Sequence, residues 1–150
     1  MLAQLSEEAH EPDAAELLLE SLTTLEEIGD LRCAAVCEVA IGRLACFDRN
    51  YDAALKRLRH AIPILSGLDR SQLALALVEL AAVYRKIDRV ADADTIATAA
   101  RALAGTGVMP WSEHERRRFD ALIDASPWDD PPTGSVEPFL NGAIEAALTP

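Results

Sequence analysis

The feature that most constrains this chain is a self-similarity at a spacing of 39 residues. Ala15, Ala54 and Ala93 fall on one register. So do Pro12, Tyr51 and Val90, then Leu19, Leu58 and Ala97, then Leu22, Ala61 and Ala100. Upstream in each copy, Leu2-Ala3, Ile41-Gly42 and Leu80-Ala81 correspond, followed by Ser6, Ala45 and Tyr84. A fixed period of this length marks a repeat architecture, in which each unit buries its apolar face only against its neighbours.

Within a copy the spacing is helical. Tyr51, Ala54, Leu55, Leu58, Ala61, Ile62 and Leu65 form one stripe, with Lys56, Arg57, Arg59 and His60 on much of the remaining surface. Each copy therefore reads as helix, short turn, helix. The turns are FDRN at 47–50 and KIDR at 86–89. Links between copies fall at 28–32, 66–71 and 105–110, where Gly and Asp mark stops and starts. Pro12 suits the first turn of its helix. Pro63 lies within an apolar stripe and predicts that its helix ends or kinks near Ile62. Gly42 and Ala81 allow the two helices of a pair to approach closely, and Ala54, Ala61, Ala93 and Ala100 do the same across pairs.

Leu80-Ala81-x-x-Tyr84 followed by Ala93, Ala97 and Ala100 resembles the tetratricopeptide repeat signature. Ile41-Gly42, then Tyr51-Asp52-Ala53-Ala54 and Ala61, resembles it too, with the family's glycine present. The family's Trp is replaced by Glu38 and Leu77, and its period is about 34 residues. Stretched arrays of this kind resemble those in large bacterial signalling regulators. The resemblance implies an all-α right-handed solenoid of antiparallel helix hairpins. It would span residues 1–125 in about three repeats, the first truncated, because Leu2-Ala3 sits halfway along a first helix. HEAT-like pairs, with periods of about 40–47 residues, are the alternative.

The segment WSEHERRRFDALIDA continues as a fourth first-helix, with Phe119 matching Leu80 and Asp120 where the family has a small residue. SPWDDPPTG then breaks the helix, so 126–136 reads as a Pro-rich loop with Trp128 as a packing plug or a ligand anchor. Residues 137–150 read as a short helix or tail, a cap that docks elsewhere on the array.

Composition limits the function. The formal net charge is −11, but it is segregated. Residues 1–30 carry nine acids and no Lys or Arg, 31–118 carry ten acids and all fourteen bases, and 119–150 carry six acids and no Lys or Arg. Such a chain is a poor nucleic-acid binder. Either the charges are ordinary solvated faces or the basic middle meets an acidic segment. The N-terminus lacks a secretory signal pattern, and the run LALALVELAAVY at 73–84 carries Glu79 and is too short for a bilayer. The expectation is a cytoplasmic protein with no membrane partner. Three cysteines argue against a disulfide framework. Cys33 and Cys37 read as small buried helix residues, since no second His or Cys pair completes a metal site.

Chemical motifs are missing. Gly105-Thr106-Gly107 is a linker turn, HERRR lacks the second His of a zinc motif, and His10, His60 and His114 sit on separate elements. Asp129-Asp130 reads as solvated. Nothing meets the geometry of a nucleophile and base, so the expectation is no enzyme and no cofactor.

The first helices are instead apolar nearly all round, which calls for burial on two sides. The side opposite the hairpin mate defines a predicted concave groove. Its floor is Val36, Val39, Leu75 and Val78, with Phe47 and Ala82 beside it. Arg43, Arg85, Lys86 and Arg117 surround it. Contiguous exposed apolar surface of this kind marks an interaction site. The expected partner is a protein or peptide with apolar and acidic residues. Further helices covering this face, a homodimer and the chain's own acidic tail lying in the groove are the alternatives. A second reading of function is the sensor portion of a bacterial transcriptional or STAND-type regulator responding to a peptide or small molecule.

Overall fold

The structure, a computed structural model, describes residues 12–107, 109–124 and 137–149. Among these residues it is all α. The helices are α1 (Pro12–Ile28), α2 (Leu31–Phe47), α3 (Tyr51–Leu68), α4 (Arg70–Lys86), α5 (Val90–Ala104), α6 (Glu113–Asp124) and α7 (Glu137–Leu148). Adjacent helices pack, as a helical repeat requires. The most extensive contacts are within the hairpins α2–α3 and α4–α5, and α1–α2 and α3–α4 join one pair to the next. No described helix is long and apolar enough to cross a membrane.

The 39-residue register is visible in the backbone. Arg49 and Asp88, one period apart, both adopt positive φ, 60° and 65°. At each, the chain leaves a helix through the same pair of bonds. Arg49 N–H donates to the Cys46 carbonyl and Asn50 N–H to that of Ala45; Asp88 N–H donates to Arg85 and Arg89 N–H to Tyr84. This is a Schellman ending, which satisfies the last carbonyls of the helix. Gly29, at φ 76°, ends α1 in the same way, with Gly29 N–H on Glu26 and Asp30 N–H on Leu25. Only at this ending does glycine occupy the left-handed position. Gly29→Ala should therefore lower unfolding free energy by about 1 kcal/mol, and Arg49→Gly should raise it by a smaller amount. A Cβ on Gly29 meets open space, so chemical denaturation of Gly29→Ala would report backbone strain alone.

Helix starts follow from short polar side chains. Asp30, Asn50 and Asp69 each accept the backbone N–H three residues on, from Cys33, Ala53 and Gln72. Ser112 and Glu115 form a capping box ahead of α6: Ser112 N–H donates to Glu115 Oε1 and Glu115 N–H to Ser112 Oγ. Asp69 alone joins α3 to α4 and also accepts from Arg32 Nε at 2.7 Å, tying this turn to the start of α2.

The core is aliphatic and rich in alanine. Ala54, Ala61, Ala93 and Ala100 are all fully buried, with Leu58, Ile62, Leu65, Leu73, Leu77, Leu80 and Ile96. At Gly42 an added Cβ would stand 3.1 Å from Leu58 Cγ and 3.4 Å from the Ala54 carbonyl. The close approach inside the α2–α3 hairpin is thus real.

Two expectations are corrected. Of the two outcomes expected at Pro63, an end or a kink, the end is ruled out: α3 continues past Ile62 to Leu68. Pro63 faces solvent, where water can serve the Arg59 carbonyl, and buried Ile62 and Leu65 hold the following turn. In α1 the buried positions are Ala14, Leu18 and Leu22, while Leu19 is exposed. The register equivalents of Leu19, namely Leu58 and Ala97, are buried. Among described residues the main neighbour of α1 is α2, through Ala40, Ile41, Leu44 and Phe47, and that neighbour selects its face.

The fourth copy is split. α6 packs on α4, and α7 lies on α5 and reaches α3, so the tail docks against second helices and not in the predicted groove. The Pro-rich loop, Trp128, Asp129-Asp130, His10 and the Leu2-Ala3 and Ser6 positions lie outside the described residues.

Candidate functional site

α2, α4 and α6 are the first helices of successive copies, and they are laced by one carboxylate. Glu79, in the middle of the apolar α4, is 2 % exposed. Arg43 of α2 donates from Nε to Glu79 Oε1 at 3.0 Å. Arg118 of α6 is bidentate, Nε to Oε1 at 2.9 Å and Nη2 to Oε2 at 3.2 Å. The Arg118 guanidinium also lies 4.8 Å from the Phe47 ring centroid. Each residue has a reason to be there. A carboxylate this buried needs charged donors, and two arginine forks supply them. Phe47 offers Arg118 a ring face. Arg118 keeps nearly a quarter of its side chain open to solvent.

The same face of α6 makes a second contact one turn earlier. Gln72 Nε2 donates to Glu115 Oε2 at 3.0 Å. Glu115 and Arg118 are three apart on α6, and their partners Gln72 and Glu79 are seven apart on α4, so one stripe of each helix meets the other. Trp111 anchors the entry to α6: its indole N–H donates to the Ser71 carbonyl at 2.8 Å and its ring lies 4.7 Å from that of Phe119.

The predicted groove residues divide into three groups. Val39, Leu75 and Val78 are 3, 3 and 1 % exposed. They are core, because α2, α4 and α6 close side by side over them; they are not an open floor. Val36, Phe47 and Ala82 are half-buried. Of the cations, Arg43 is buried on Glu79. Arg85 reaches Asp94 on its hairpin mate α5, with Nη2 3.0 Å from Oδ1. Arg117 points to solvent and pairs with Glu113 on its own helix. Lys86 is exposed and acts electrostatically on the thiol of Cys46, as Glu79 and Arg118 also do. The structure therefore brings together Arg43, Phe47 and Arg118, and leaves out Arg85 and Arg117.

Glu79 and Arg118 were missed, although both signals were in the sequence. A lone acid inside LALALVELAAVY demands a partner, and Arg118 stands one period of 39 residues after it. One residue of offset, from Arg117 to Arg118, turns a side chain by about 100° around a helix. That offset separates the interhelical face from solvent.

The remaining polar groups are chemically quiet. Hydrogen bonding to Asp30 pushes the Cys33 thiol up, and burial does the same for Cys37 and Cys46. All three thiols are free. Protonated thiols are weak nucleophiles. Among the described residues no three His, Cys, Asp or Glu gather as a metal site would need. Glu38 is buried, with Oε1 2.7 Å from His60 Nδ1. An open depression of about 530 Å³ between α1 and α2 is lined by Glu20, Ser21, Thr24, Leu25 and Cys37, with no convergent set of donors.

Compared with known proteins, the chain matches no family model, no curated protein and no solved structure.

Proposed function

We propose that this chain is a non-enzymatic, tetratricopeptide-like solenoid that binds an acidic segment of another protein on the face formed by α2, α4 and α6. The single observation that carries this reading is the partly open Arg118 guanidinium on this face. It bonds Glu79 and lies over Phe47, yet keeps nearly a quarter of its side chain open to solvent, and exposed Lys86, on the same helix as Glu79, carries a further positive charge. A carboxylate arriving from outside can bond the solvent-exposed part of the Arg118 guanidinium without displacing Glu79, and Phe47 and Ala82 supply partly buried apolar surface on the same face. The partner is thus an extended or helical segment with carboxylates beside small apolar anchors. The floor is shallower than an apolar groove, so charge contributes to recognition more than buried area does.

A test starts from the folded chain panned against a library of random short peptides. Selected peptides should combine Asp or Glu with an apolar anchor. Lys86→Glu should weaken them about five- to tenfold, with helix content unchanged, and added salt should weaken the native interaction. Selection of peptides without acids, or equal affinity for Lys86→Glu in fluorescence anisotropy, would refute the reading.

A further inference from the structure

A second arginine cluster holds the end of α7, and it lies on a different side of the molecule. Tyr84 of α4 is fully buried, and its hydroxyl donates to the Ala147 carbonyl at 2.8 Å. Arg59 of α3 donates from Nη2 to the Tyr84 hydroxyl at 2.9 Å, from Nε to the Ala147 carbonyl at 3.2 Å and from Nη2 to the Thr149 carbonyl at 3.2 Å. Arg89, just before α5, donates to the Thr149 carbonyl at 3.3 Å. The two guanidiniums lie 5.6 and 4.2 Å from the Tyr84 ring centroid. Three residues from three segments thus converge on the last carbonyls of one helix. Those carbonyls have no partner within the helix and carry the negative end of its dipole, so paired cations suit them.

Among the described residues, the bonds that Arg59, Tyr84 and Arg89 make to the tail all go to backbone carbonyls, and the apolar contact is made by Leu140, Ala143 and Ala147 with Ile144 packed beside them. The cradle also occurs once. One period earlier, the equivalents of Arg59, Tyr84 and Arg89 are Glu20, Ala45 and Asn50. Asn50 there caps its helix, whereas Arg89 makes no side-chain cap for α5. At this position the third copy has given up a helix cap for a cation that bonds α7 and Asp92. Finally, the 39-residue register stops before α7, and a Pro-rich stretch at 126–136 separates the two.

We propose that α7 is a detachable latch, and that Arg59, Tyr84 and Arg89 form a receptor for the C-terminal end of a helix with a small-residue face. α7 is its built-in occupant. When α7 leaves, the seam between α3 and α5 is open to a partner helix that ends in the same way. This site is independent of the face at Glu79.

The probe is a labelled peptide of residues 137–149, N-acetylated and C-amidated, added to the full-length chain. Tethering gives the resident α7 an effective concentration in the millimolar range, so it competes with the probe. Leu140→Asp with Ala143→Asp in the chain's own tail should release it and tighten probe binding about tenfold, while one cooperative melt is retained. In that background Arg59→Ala or Tyr84→Phe should weaken the probe about tenfold. Arg89→Asn separates the latch from mere structure. It should restore a cap and raise the melting temperature of the released chain, yet weaken the probe. If the tail variant melts non-cooperatively or binds the probe no better than the native chain, α7 is a fixed part of the core and the proposal fails. It fails too if Arg89→Asn leaves probe affinity unchanged. A doubled mass in sedimentation that the tail variant abolishes would show exchange of α7 between two copies and overturn the intramolecular assignment.

Discussion

Glu79→Ala should lower the unfolding free energy by about 3–5 kcal/mol, the largest effect expected of any single polar substitution in the chain. The substitution leaves Arg43, 9 % exposed, with its interhelical carboxylate gone, and it frees Arg118 from both of its bonds to α4. The loss comes from removing the acceptor that both guanidiniums share, because the pairing itself is roughly balanced by the desolvation of three ions. A compensated variant separates the two effects. Arg43→Met, Glu79→Leu and Arg118→Met together should be at least as stable as the native chain, since apolar side chains of similar volume fill the seam without desolvation. Urea unfolding at constant slope measures both variants. A loss under about 1 kcal/mol for Glu79→Ala would mean that the triad does not hold α2, α4 and α6 together. The triple variant would also lack the Arg118 guanidinium proposed to recognise acidic segments, so its stability and its binding should diverge.

Pro63→Ala should have the second-largest effect and the opposite sign, raising stability by about 1–3 kcal/mol. A proline in a helix interior costs about 3 kcal/mol through the lost N–H bond and the clash with the carbonyl four residues earlier. Two things reduce the gain. Pro63 faces solvent, where the Arg59 carbonyl can be hydrated, and proline also stiffens the unfolded chain. Arg59 lies one turn before Pro63 and its guanidinium holds α7, so the substitution also tests whether the cradle depends on the proline at this position. Thermal unfolding should show a midpoint higher by several degrees. An unchanged or lowered midpoint would mean that the α3 backbone around Pro63 is shaped by tertiary packing which alanine cannot reproduce.

The helices, their pairing and the alanine contacts were legible in the residues because they rest on local rules. The apolar stripe of 51–65 has the period of one helix face, and Ala54, Ala61, Ala93 and Ala100 are small wherever helices cross. Even the repeat of turn geometry at Arg49 and Asp88 follows the 39-residue register, though neither residue type signals positive φ by itself. Both turns satisfy their helix-end carbonyls through the same six-residue ending, and that constraint outweighs residue preference.

What only the tertiary structure decided is which face each side chain takes once more than two helices meet. The pattern of α4 demands burial on two sides but does not say whether a partner or a neighbouring helix provides the second. The flanking helices do, so Val39, Leu75 and Val78 became core and the predicted groove shrank to its rim. Likewise, choosing Arg118 over Arg117, turning Arg85 toward Asp94 and seating α7 on Arg59, Tyr84 and Arg89 each depend on contacts between residues tens of positions apart. Helical periodicity fixes angles around one axis, whereas these choices depend on how several axes are placed relative to one another, which is settled by the joint packing of all the side chains between them.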